Sequence, residues 1–244
     1  MTGEVRDGMN PENPLELSRD ALDDLPPLPP DVSVDVPYHV DVLPDGRETV
    51  VIGDMVTFSD YCHAQGENPW DFKGTCGLCS CEGILRQFGM EVTEADVVRY
   101  AKDHNLCSEV PGRPDLSGGT DVGRLARILS GFGVPASAEN RGSLEGLAAS
   151  LEHGRGVIVA LDAGELWKDP LYLNKGHAVT PIAVARDPKT WEIQGFYVND
   201  TGRGRSGEAG KFVDADTMRQ AWQPMGRQFV VTDLVHEGNK QRTV

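Results

Sequence analysis

Gly74-Thr75-Cys76-Gly77-Leu78-Cys79-Ser80-Cys81-Glu82-Gly83-Ile84-Leu85 is the stretch on which the fold turns. Leu78, Cys81, Leu85 and Phe88 recur at i, i+3, i+7 and i+10, which predicts a helix from Thr75-Cys76 to about Phe88, stopped at Gly89, with that face buried. Cys76 falls at the start of this helix. A helix N-terminus offers unpaired N–H groups and a partial positive charge, and both favour thiolate over thiol. Gly77, with no Cβ, lets other backbone approach closely.

Three further helices are expected after it. Thr93 caps one that runs to about His104, with Asp96 three residues on in the manner of a capping box. Another begins near Thr120, shows Leu125, Ile128, Leu129 and Phe132 on one face, and ends at Gly131 and Gly133. The third, Leu144 to Leu151, lies between Ser143 and Gly154. Strands then take over. The unbroken apolar run Val157–Leu161 suits a strand buried on both faces. His177–Ala185 and Glu192–Asn199 flank a turn at Asp187–Thr190, a short helix is expected at Thr217–Trp222, and Phe229–Val235 closes the series. Helices first and strands afterwards predict an α+β fold and not alternating βαβ units.

Towards the N-terminus, Tyr38–Leu43 and Glu48–Ile52 flank Pro44-Asp45-Gly46-Arg47, a hairpin signal. Residues 1–47 hold 11 of the 38 acidic side chains, 3 of the 23 basic ones and 8 of the 16 prolines. The division expected is a flexible acidic Pro-rich leader over 1–36, a hairpin over 37–58 and one main domain over 59–244. Leu25-Pro-Pro-Leu-Pro-Pro30 favours polyproline II and reads as a stiff linker, or as a ligand for a Pro-binding partner.

A formal charge of −15 without a basic stripe argues against nucleic-acid binding, which needs Lys and Arg to replace condensed counterions. No apolar run is long enough to span a bilayer, so no membrane partner is expected. No signal pattern opens the chain, so the expected location is the cytoplasm, or outside the cell by a route without a cleaved signal. Cysteines 62, 76, 79, 81 and 107 are an odd set, which argues against a disulfide framework.

A nucleophilic Cys needs a base and a group to orient the base. Gly176-His177 starts one strand and Asn199-Asp200 ends the next. If the two strands are antiparallel neighbours, His177 and one of Asn199 and Asp200 meet at one edge. Successive strand residues face opposite ways, so only one of the pair can point at His177. Cys76-Gly-Leu-Cys79 also reads as a redox C-x-x-C, although Asn68–Gly74 before it is a poor strand for a thioredoxin-like arrangement. A zinc site from Cys76, Cys79, Cys81 and Cys107 lacks a second C-x-x-C. Among the remaining histidines, His63 beside Gln65 is the one in suggestive surroundings.

Taken in order, these pieces resemble the papain-like cysteine peptidases, and within them the bacteriocin-processing, double-glycine leader peptidases and their stand-alone relatives. Gly74–Leu85 resembles the catalytic helix, Gly118-Gly-Thr-Asp-Val-Gly-Arg-Leu-Ala126 the entry to a later helix, and Ser143–Leu151 with Gly156–Leu161 the helix-to-strand passage. Gly176-His177 and Tyr197-Val-Asn-Asp200 resemble the His and Asp strands, and Thr217–Trp222 before Phe229-Val-Val231 the closing segment. The resemblance covers about residues 60–235. It implies a papain-like fold, a helical half packed on an antiparallel sheet, with Cys76 as nucleophile, His177 as base and Asp200 orienting it, acting on a protein or peptide amide without metal or cofactor. It also implies a stand-alone effector or toxin as one role. The family places an oxyanion-hole Gln six residues before the Cys, where this chain has Trp70. Gln65 and Asn68 are the nearby candidates. The same apparatus would suit a deamidase or transglutaminase, and Trp70 would suit an inactive binding module of the same fold.

Overall fold

The computed structural model describes residues 36–203 and 208–236. All of the expected leader except Val36 lies outside the described residues, and Val36 is buried in the core.

The central helix is α2 (Cys76–Gln87), preceded by a short α1 (Met55–Ser59). Gly77 to Leu85 are all buried, so α2 is enclosed on every side and not only along its apolar face. Helices α3 (Glu94–Asp103) and α4 (Val122–Gly131) flank it. The Thr93–Asp96 capping box is formed at α3, and Asp121 caps α4. A Cβ on Gly77 would stand 2.8 Å from Thr120 Cγ2 and 3.0 Å from Leu125 Cδ2. The missing side chain is therefore what lets the start of α2 lie against the start of α4.

All strand pairs are antiparallel. The sheet runs β1 (Tyr38–Val42), β2 (Glu48–Ile52), β5 (Gly176–Arg186), β4 (Arg155–Asp162), β8 (Phe229–Val235), β3 (Ala136–Glu139). From the other edge of β5 it continues through β6 (Ile193–Asn199) to β7 (Lys211–Asp214). The hairpin β1–β2 is not a separate module. Its Val50–Ile52 pairs with Val184–Arg186, so it extends the sheet.

Alternation along the strands gives the sheet two cores. Val157, Val159, Leu161, Val179 and Val231 face α5 (Leu144–Glu152) and α7 (Ala215–Trp222). Ile158, Ala178 and Val230 face the helical half, against Leu78, Cys81, Ile84 and Leu85 of α2. This is the α+β fold expected, with helices on both faces of the sheet. A five-residue helix, α6 (Ala163–Trp167), leaves the end of β4 after its cap Asp162. Among the described residues no helix is long and apolar enough to cross a membrane.

Candidate active site

Three elements converge at one end of the sheet. α2 presents Cys76 at its first turn, β5 presents His177 near its start, and β6 delivers Asp200 just past its end. Thr180 pairs with Asn199, so the strands run side by side up to this edge. His177 Nε2 lies 2.7 Å from Asp200 Oδ1, with both side chains almost wholly buried. The other ring nitrogen, Nδ1, is left for the Cys76 thiol, which is the second side-chain partner of His177.

Asp200 is held from three directions. Oδ1 accepts from His177 and from the Gly202 N–H at 2.9 Å, and Oδ2 accepts from Trp167 Nε1 at 2.7 Å. Burial pushes this carboxyl up, but the His177 bond and charge, Trp167 and Gly202 outweigh it and hold the pKa down at about 2. Trp167 also packs its ring on the imidazole, with centroids 4.9 Å apart. Arg203 stacks over Trp167 at 4.8 Å and pairs with Asp169 at 2.9 Å, which locks the indole in place. Neither Trp167 nor Gly202 is expected from the sequence reading. The one local signal for Trp167 is its place five residues after Asp162, the cap of α6.

The five thiols divide sharply. Burial pushes Cys76 up, but the hydrogen bond and charge of His177, with the N–H groups of Ala178 and Gly77, bring it below the ordinary value. His177 moves the opposite way. Burial lowers it, yet Asp200 and Cys76 raise it to about 10. The two shifts go together, since each group favours the charged form of the other. Burial raises Cys62 to about 11, and it also raises Cys79, Cys81 and Cys107.

Several expectations are corrected. Asn199 is not the orienter: its amide donates to Phe58 O at 2.7 Å and accepts from Gly210 N at 3.0 Å, on the face of β6 turned away from His177. Asn68 is not an oxyanion donor. Both of its amide protons are engaged, by Phe72 O and by Glu94 Oε1, each at 2.9 Å. Gln65 lies between the loop before Cys76 and the loop after Asp200: Nε2 donates to Lys73 O at 2.6 Å and Oε1 accepts from Thr201 Oγ1 at 3.2 Å. Its second amide proton has no partner among the described residues. Trp70 instead packs against the helical core, with Lys102 Nζ 5.5 Å from its ring centre. No strand directly precedes Cys76, as a thioredoxin-like arrangement requires. The four cysteines proposed for zinc do not gather, and Cys81 Sγ turns to Leu125 O.

A surface cavity of about 920 Å³ opens at the opposite end of the sheet, around Asp45, Arg47, Asp187 and Arg219, and contains none of these residues.

No protein-family model and no curated protein matches the chain. One similar solved structure is the crystal structure of a Bacillus anthracis chain described as a C39-like peptidase. It is 15% identical, covering 72% of this chain and 98% of that chain, with a TM-score of 0.48.

Proposed function

We infer that the chain is a papain-like cysteine hydrolase that cleaves an amide bond in a protein or peptide through an acyl-enzyme on Cys76. The observation that carries this reading is the buried His177–Asp200 pair, 2.7 Å apart, beside Cys76 at the start of α2, and the lowering of Cys76 alone among the five cysteines accords with it.

The thiolate attacks the carbonyl carbon, and charge develops on the carbonyl oxygen. The N-terminal N–H groups of α2, which Thr75 leaves without a side-chain cap, are the donors offered to this oxygen. The remaining Gln65 amide proton supplies a second donor from the neighbouring loop. His177, protonated by the ion pair, gives its proton to the leaving amine as the C–N bond breaks. It then takes a proton from the water that attacks the thioester, which frees the acid and restores the pair. Asp200 holds the imidazolium throughout, and Trp167 shields their hydrogen bond from water. If an amine takes the place of water, the outcome is transfer in place of hydrolysis.

Digestion of a peptide library by the unmodified chain and by Cys76→Ala tests the reading. Cleavage products only with the unmodified chain are expected, and their termini report the preferred sequence. Equal products from both, or from neither, refute it.

A further inference from the structure

One helical turn below Cys76, a second set of reactive side chains is not used by the chemistry above. Cys79 and Glu82 follow Cys76 at i+3 and i+6 on α2, and His63 comes from the loop after α1. His63 nitrogen, Cys79 Sγ and a Glu82 oxygen all lie within 4.8 Å of one another. Among the described residues they form the one group of three such donors. Cys79 and Glu82 are buried and His63 is half-buried.

We propose that His63, Cys79 and Glu82 supply three ligands to a divalent transition metal ion of the zinc type, at a site separate from Cys76.

The donor set suits a borderline ion: one imidazole nitrogen, one thiolate and one carboxylate oxygen. The surroundings of each donor are arranged as metal ligands require. His63 Nδ1 lies 2.9 Å from Ala64 O, so Nδ1–H donates to that carbonyl and turns Nε2 towards the cluster. Glu82 is steadied by Arg86, 3.6 Å from its other oxygen. Thr75 is wholly buried, its hydroxyl has no hydrogen-bond partner, and it lies against the Cys79 sulfur. Such an orphaned hydroxyl has a natural acceptor once Cys79 is a thiolate. Glu94, also buried, is near the same sulfur and adds negative charge.

The geometric adjustment is small. Tetrahedral zinc with ordinary bond lengths places S and N about 3.6 Å apart and N and O about 3.4 Å apart. The His63–Glu82 pair, 2.6 Å apart, must open by under about 1 Å, and the most distant pair must close by about 1 Å. Binding releases the Cys79 thiol proton and the proton that His63 shares with Glu82. Two positive charges leave as two arrive, so the buried cluster keeps its charge. A surface cavity of about 500 Å³, lined by Tyr61, Glu82, Arg86 and Met90, adjoins the cluster at Glu82. The ion would join α2 to the loop that carries Gln65.

Cobalt is the probe, because a thiolate bound to Co²⁺ gives a charge-transfer band in the near ultraviolet. The reduced, chelator-treated chain is titrated with Co²⁺ and then with Zn²⁺ against a competing chelator. Expected are one ion per chain, a thiolate band lost in Cys79→Ser and kept in Cys76→Ala, and a raised Tm with zinc. His63→Gln and Glu82→Gln, checked for folding by circular dichroism, should weaken zinc by more than the roughly 10–100-fold that outer-shell changes cost. A band that disappears in Cys76→Ala places the ion at the other thiol and overturns the proposal. So do folded glutamine variants that hold zinc as tightly as the unmodified chain, and so does an absence of any thiolate band.

Discussion

Gly202→Ala changes one hydrogen to a methyl group and should disable the thiolate 126 residues away in sequence. A Cβ at this position stands 2.6 Å from His177 Cε1, 2.7 Å from Trp167 Cζ2 and 3.0 Å from His177 Nε2. Carbon atoms settle at about 3.5–4.0 Å, so the rings must withdraw by about 1 Å. Neither has room to do so. His177 is bound to Asp200, and Trp167 is bound to Asp200 and wedged by Tyr172 and Arg203. Overpacking of this kind costs about 1–3 kcal/mol. In a chain of this size each kcal/mol is worth about 2–4 °C, so Tm should fall by roughly 2–12 °C. A displacement of about 1 Å in a catalytic group costs about 10²-fold in rate.

The sharper readout is Cys76 itself. Without the His177 charge in place, burial dominates and the thiol pKa rises. Iodoacetamide labelling against pH, with the Cys76 peptide followed by mass spectrometry, should show its midpoint move to higher pH. Gly83→Ala is the control, since a Cβ there meets nothing within 4 Å and the site is helical. The control should keep the unmodified labelling profile and gain stability of up to about 1 kcal/mol. If Gly202→Ala lowers Tm but leaves the labelling midpoint unchanged, His177 is not what holds the thiolate, and the reasoning fails.

Trp167→Phe keeps the ring but leaves Asp200 Oδ2 buried without its donor, which should cost about 1–3 kcal/mol in thermal unfolding. An unchanged Tm would show that the indole N–H contributes nothing. Gln65→Leu should lower kcat of peptide cleavage by about 10²–10³-fold with KM little changed, while Asn68→Leu should act on stability and leave kcat alone. The Glu82 hydrogen bond raises His63 to about 9, so its stabilisation is complete below its unfolded value of about 6.5 and is lost as pH rises to about 9. The proton His177 gains is the one Cys76 gives up, so those two shifts oppose each other. In chelator, Tm should therefore fall between pH 6.5 and 9 for the unmodified chain and stay flat for Glu82→Gln.

Local pattern carried most of the scaffold. Thr75 to Gly89, Thr93 to His104 and the apolar run before Asp162 each announce an element through caps, periodicity and a stop. Those elements have the bounds expected to within a few residues. The turn at Asp187–Thr190 likewise set His177 and Asp200 at one edge, and strand alternation required that only one of Asn199 and Asp200 face inward. The rest depends on partners distant in sequence. β3 and β7, four residues each, and the five-residue α1 and α6 are too short to show a period, and they form because a neighbouring strand or core surface is already present. Trp167 was hidden for that reason. Its function comes from Asp200, 33 residues later, and the Asp162 cap is all that marks this segment locally. Gln65 and Asn68 looked equivalent in sequence, and only the partners Lys73, Thr201, Phe72 and Glu94 separate them.

Cys76 and Cys79 show how local these controls are. The chain carries −15 overall, which by itself disfavours any thiolate. Most of that charge acts through water over more than the Debye length of about 8 Å and is screened. Contact terms therefore decide. Cys76 is buried too, but His177 and two backbone N–H groups outweigh burial and lower its pKa. Cys79, one turn deeper in the same helix, is buried without such a partner, and Glu94 and Glu82 add to the burial in holding its proton. The two carboxylates that add to burial in keeping Cys79 neutral are what a cation would need there. The same residue types three positions apart are thus set to opposite tasks: one thiol ionised for attack, and the other neutral until a metal ion replaces its proton.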